Sequence, residues 1–166
     1  MLRTIARWDR GGGSRVNEDG ARPARFMAGD DRSRPHPGNV PAAELAFCLP
    51  DLPDVRDFAA AHALRGGMRE ENLPDFLVAV NEVATNAVTH GHTTAKAVLR
   101  IWTTGGALVV EIHDEGRWFP AEPPGQTPPG PHATSGMGLW VARMVSSDMQ
   151  FRTGVAGTFI TMTFPI

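Results

Sequence analysis

One stretch, Asn81-Glu82-Val83-Ala84-Thr85-Asn86-Ala87-Val88-Thr89-His90-Gly91, constrains this chain more than any other. Apolar residues at Phe76, Val80, Val83, Ala84, Ala87 and Val88 recur at the spacing that paints one face of a helix, so the segment must be covered by a core. At about 100° per residue, Asp75, Glu82, Asn86 and His90 fall in one narrow arc beside that face. A carboxylate, a carboxamide and an imidazole then stand in a row that can work on a ligand. Asn72 supplies a cap, Pro74 an N-terminal proline and Asp75 a first-turn acid, while Gly91 can take the left-handed conformation that ends a helix.

The 166 residues suit one domain with a real core. A single cysteine, Cys48, excludes an internal disulfide framework, and no apolar run is long enough to span a membrane. The N-terminus is basic without a following apolar segment or a small-residue cleavage site, so a cytoplasmic protein is expected. Residues 1–43 hold eight of the sixteen basic residues and five of the eighteen acids, which makes them +3 against −5 for the rest. Their arginines are interspersed with Asp9, Glu18, Asp19, Asp30 and Asp31, and no nucleic-acid-binding module backs them. With Gly11-Gly12-Gly13 and Pro35-His36-Pro37-Gly38 they read as a disordered tail that contacts no nucleic acid, preceding a domain over 44–166.

Glu44 to Leu49 reads as a first strand, at an edge or in an interface. From Asp51, a capped helix places Val55, Phe58, Ala59 and Ala63 on one face and closes at Gly66-Gly67, with Arg56 and Arg65 pointing away. Ala95 to Thr103 and Ala107 to Asp114 alternate about Thr104-Gly105-Gly106, a hairpin signature. On the second of these strands Leu108, Val110, Ile112 and Asp114 share a face, so the carboxylate points where the core lies; alternatively, Asp114-Glu115-Gly116 is a turn whose acids face water. Residues 117–135, with six prolines, exclude helix and sheet. Gly136-Met137-Gly138 then leads into a helix from Leu139 to Val145, where backbone N–H groups and the helix N-terminus suit phosphate. Met149 to Thr153 and Thr158 to Phe164 form a final hairpin, with Ile160, Met162 and Phe164 on one face. Together these elements predict an α/β two-layer sandwich: a mixed, mostly antiparallel sheet with three helices on one face.

Glu82-x-x-x-Asn86-Ala87-x-x-His90-Gly91 resembles the N box of the GHKL ATPases, the Bergerat-fold superfamily. Asp114-Glu115-Gly116 and Gly136-Met137-Gly138-Leu139 resemble its two glycine boxes, and Gly157-Thr158 its terminal element. The short length and Leu52-Pro53-Asp54-Val55-Arg56-Asp57-Phe58 are similar to the bacterial anti-sigma-factor serine/threonine kinases. The resemblance implies ATP and Mg²⁺ as cofactors, Asn86 as the metal ligand, Glu82 as the catalytic base, and Asp114 as the acceptor of the adenine amine. It further implies nucleotide contacts from His90, Gly116, Gly136, Met137, Gly138, Leu139 and Thr158, and an ATP lid over 117–135. As partners it implies a sigma factor, met by Arg56, an antagonist protein that is phosphorylated, and a second copy of the chain. A solvated arginine is the plain alternative for Arg56. The family's first glycine box reads Asp-x-Gly-x-Gly, and here Trp118 replaces the second glycine. Its indole could stack on adenine, pack under the lid, or partly fill the pocket.

Two functional classes follow: a serine/threonine kinase that also sequesters a sigma factor, and a non-catalytic interaction module that keeps the fold. The ATPase piece of a sensor histidine kinase is disfavoured, because nothing upstream resembles a helical hairpin with a phosphoacceptor histidine. His90, His92 and His113 make a poor zinc set, since His92 lies past the helix-ending glycine and no fixed acidic spacing completes a tetrahedron. Cys48 has no adjacent base and reads as a small buried residue.

Overall fold

The periodicity of the central stretch is realised as α2, Leu73–His90, whose residues Phe76, Ala79, Val80, Val83, Ala84 and Ala87 are buried. The structure, a computed structural model, describes residues 41–91, 95–119, 124–126, 128 and 137–166. The expected tail, apart from its last three residues, and most of the proline-rich loop lie outside them. Two helix-end expectations are corrected. A single 3-10 turn, Glu70–Asn72, runs straight into α2, so Asn72 already has helical backbone angles and its side chain makes no capping bond. Gly91 likewise stays right-handed, at φ −62°, and its N–H still donates to the Ala87 carbonyl at 3.2 Å. What requires glycine there is space, since a Cβ would lie 3.0 Å from Asp114 Oδ1.

Five strands, β1 (Ala43–Phe47), β2 (Ala97–Thr104), β3 (Ala107–Asp114), β4 (Asp148–Gly154) and β5 (Gly157–Pro165), form one sheet in the order β1-β2-β3-β5-β4. Every pairing is antiparallel. β1 lies at an edge as the sequence suggests, but pairing stops at Phe47. Beyond it the Cys48 N–H and Sγ both donate to the Asp51 carboxylate, at 2.9 and 3.0 Å. That carboxylate therefore turns back on Cys48 instead of capping α1 (Leu52–Arg65), and Cys48 is half-buried in a turn rather than lost in the core. The β2–β3 hairpin turns on Gly105 and Gly106, both at positive φ (56° and 76°), as a tight turn demands.

Helices α1, α2 and α3 (Met137–Val145) cover one face of the sheet. Val55, Ala59 and Ala63 of α1 and Leu139 and Ala142 of α3 meet the inward residues of the strands. Register aligns those residues in layers, Leu99 beside Ile112 and Ile112 beside Ile160, then Ile101 beside Val110 and Val110 beside Met162. Phe76 sits edge-on to Phe164 at 4.9 Å. Each large side chain so buried contributes roughly 1.5–3 kcal/mol. An exposed ion pair such as Arg69–Glu71 contributes about 0–1 kcal/mol, so the layered core decides the fold.

Candidate functional site

The layers run out at one end of the sheet. Asp114 and Thr158 are cross-strand partners at the ends of β3 and β5, one layer beyond Ile112 and Ile160, and the last turn of α2 stands above them. A cavity of about 520 Å³ opens there. Ile112 and Ile160 line it from the sheet, Val83, Asn86, Ala87 and His90 from α2 with Gly91 just past its end, and Gly138 and Leu139 from the start of α3. Asp114, Gly116, Arg117, Trp118 and Thr158 complete the wall.

Asp114 faces this cavity, as strand alternation predicts. Its Oδ1 accepts the Gly116 N–H at 2.8 Å, and among the described residues no ion pair reaches it. Burial raises its pKa above the ordinary aspartate value, against the opposing pull of the Gly116 N–H and the His113 imidazole. A carboxylate kept partly out of water without a cation is a strong acceptor awaiting a donor. Gly116 is required by close approach: a Cβ there would come within 2.7 Å of Asp114 Oδ1 and collide with the Gly91 carbonyl. The buried Thr158 hydroxyl donates to the Gly116 carbonyl at 2.8 Å, and its oxygen lies 3.4 Å from Thr153 Oγ1. That Thr153 oxygen accepts the Trp118 backbone N–H at 3.3 Å. The segment after β3 is thus tied to the β4–β5 hairpin, and the Thr158 donor is committed to the protein.

The helical row divides. Asn86 and His90 line the cavity, whereas Asp75 is exposed near the start of α2 and lines nothing there. Glu82 does not line it either. Its carboxylate lies against Gly138 in the first turn of α3, so close that an added Cβ would be 3.1 Å from Glu82 Cδ and nearer still to Oε2. A side chain at Gly138 would push the Glu82 carboxylate aside. Met137 opens α3 but is exposed and outside the cavity wall, Gly136 lies outside the described residues, and so does His92 of the histidine cluster. Arg56, on the outer side of α1, donates to Asn81 Oδ1 of α2 at 3.3 Å and remains exposed.

Arg117 and the apolar walls were not singled out from sequence. Arg117 could have been found as the residue that follows Gly116 in the first glycine box. Val83, Ala87, Ile112 and Ile160 could not, because their sequence signal is that of core residues.

The chain matches the histidine kinase-like ATPase domain over residues 48–164, and it belongs to that family. No curated protein matches it. Among solved structures it is similar to the RsbU and RsbW domains of Rv1364c from Mycobacterium tuberculosis, at 20% identity and a TM-score of 0.57, over 76% of this chain and 32% of that one. It is also similar to the EL346 blue-light activated histidine kinase of Erythrobacter litoralis, at 21% identity and a TM-score of 0.44, over 66% of this chain and 39% of that one. The chain therefore spans about a third of the length of the first of these proteins, and the likeness shows a shared fold. No helix among the described residues is long and apolar enough to cross a membrane.

Proposed function

We propose that the cavity binds ATP with Mg²⁺ and that the protein is a serine/threonine kinase acting on an antagonist protein while it holds a sigma factor. The observation that carries the nucleotide assignment is Asp114, a partly buried acceptor with no ion pair among the described residues, set in the wall of a cavity that also presents Val83, Ala87, Ile112 and Ile160. A flat base that offers an amine to Asp114 and its faces to Val83, Ala87, Ile112 and Ile160 suits that lining. Asn86, which lines the cavity, would ligand Mg²⁺. The bound ion would screen the phosphates from one another and from Glu82. Gly138, at the start of α3, lets phosphate oxygens approach a helix N-terminus. Glu82, one turn before Asn86, would take the proton from the attacking hydroxyl. Arg56 on the exposed side of α1 would meet the sigma factor, and the free edge of β1 would meet a second copy of the chain. The presence of an RsbW domain in the Mycobacterium neighbour supports this branch of the family over others.

One observation favours a second reading, a module that binds nucleotide without transferring phosphate. Glu82 leans on Gly138 and stays out of the cavity wall, so it must swing away from α3 to act as a base. Calorimetry with Mg-ATP, followed by phosphate transfer to a candidate antagonist, tests both readings. The kinase reading predicts that Glu82→Ala binds Mg-ATP nearly as wild type and loses transfer. Transfer retained in Glu82→Ala would remove the residue from the base role, and no binding at millimolar Mg-ATP would overturn the nucleotide assignment itself.

A further inference from the structure

Resting on the assignment of the cavity to ATP, we propose that Trp118 is a base-recognition residue, the aromatic wall against which the purine lies. Three observations carry this. The indole packs on the β4 side, edge-to-face with Phe151 at 5.3 Å and an interplanar angle of 90°, and the Trp118 backbone, not its ring, is tied to β4 by its N–H on Thr153 Oγ1. Trp118 is nevertheless 43% exposed and lines the cavity, so indole surface remains open toward it. The cavity keeps about 520 Å³ with the indole in its wall, so the side chain borders the space rather than filling it.

The other walls give the indole a purpose. α2 offers Val83, Asn86, Ala87 and, in its last turn, His90, and the sheet offers the branched Ile112 and Ile160; of the large flat rings only Trp118 stands in the wall. Asp114 fixes a donor at the rim of a purine but does not set its plane. An indole set edge-on to Phe151 gives the plane, and base–aromatic stacking contributes whichever base is present, strengthening with ring area. The purine is thus chosen by Asp114 and held flat by Trp118.

The test compares wild type with Trp118→Phe, Trp118→Leu and Trp118→Gly, reading ATP affinity by calorimetry and folding by circular dichroism. The change in tryptophan emission on adding ATP is read for all four in a Trp8→Phe background. Trp118→Phe keeps a stacking face and is expected to stay within about threefold of wild type, whereas the Leu and Gly variants weaken ATP roughly tenfold or more. The emission change is expected to disappear in all three variants, since the remaining Trp102 and Trp140 do not line the cavity. Trp118→Gly or Trp118→Leu binding ATP as tightly as wild type, or more tightly, would overturn the proposal and make the indole a bystander or a plug. Asp114→Ala separates the two levels of inference: if it weakens ATP while Trp118→Leu does not, the nucleotide site stands and the tryptophan assignment alone falls. A wild type that binds no ATP overturns both.

Discussion

Two carboxylates three residues apart on β3 have opposite fates. Glu111 is the more buried, at 5% exposure, yet it is fully partnered. Arg152 Nη2 lies 3.3 Å from Oε2, Thr161 Oγ1 donates to the same oxygen at 3.4 Å, and Arg100 Nη1 is 3.7 Å from Oε1. Arg100 in turn bridges to Glu44 of β1 at 2.8 Å. Beside this network Arg152 lies 4.4 Å over the Phe159 ring, which stacks on His113 at 4.0 Å. Asp114, less buried and on the opposite face, has one backbone N–H and no cation, and burial raises its pKa. Burial alone therefore does not mark a functional acid here. The face that knits β1, β2, β3, β4 and β5 together satisfies its carboxylate, and the face beneath the helices leaves one unsatisfied at the mouth of a cavity.

The largest break in this contrast is expected from Glu111→Ala, which takes a buried carboxylate away from Arg100, Arg152 and Thr161 and removes charge-assisted hydrogen bonds worth about 1.5–3 kcal/mol each before solvent screening. Chemical denaturation should show a loss of roughly 2–3 kcal/mol, with ATP affinity of the folded protein unchanged. An equal loss of nucleotide affinity would mean that the two faces are coupled. Next in size, Asp114→Ala should leave stability nearly intact and weaken ATP by about 1.5–3 kcal/mol, the value of a hydrogen bond to a charged acceptor. Unchanged affinity in calorimetry would remove Asp114 from base recognition.

The smallest effect sharpens the comparison most. Asn in place of Asp114 can still accept the Gly116 N–H but never carries charge. Because the folded-state pKa of Asp114 is raised, the wild type and Asp114→Asn should be equally stable below the ordinary aspartate value. Wild type should then fall behind as pH rises through the raised value. Melting temperatures from about pH 3 to about pH 7 should open a gap worth about 1 kcal/mol or less, since the group is only partly buried. A gap of the opposite sign would show that the carboxylate is stabilised in the free protein and is no unsatisfied acceptor.

Much of this arrangement is legible in the residues. The period of α2 and the alternation of β3 and β5 each answer to burial on one face, a local rule. Asn86, His90 and Asp114 follow from those periods, because a helix arc and a strand face fix which way a side chain leaves the backbone. The helix ends were less legible. Asn72 and Gly91 carry the right types for caps, yet the turn ahead of α2 and the packing of Gly91 on Asp114 decide their backbone angles.

Sequence by itself determined that a helical row of Glu82, Asn86 and His90 and a strand-end Asp114 exist, since periodicity and charge are properties of neighbours in the chain. Only the tertiary structure decided that Glu82 leaves the row to lie on Gly138, and that Thr158 gives its hydroxyl proton to Gly116. It also decided that Trp118 stands in the cavity wall, its ring edge-on to Phe151 and its backbone N–H on Thr153. Each of these contacts joins residues far apart in the chain, and that separation is bridged only when the strands take their register and the helices settle on the sheet.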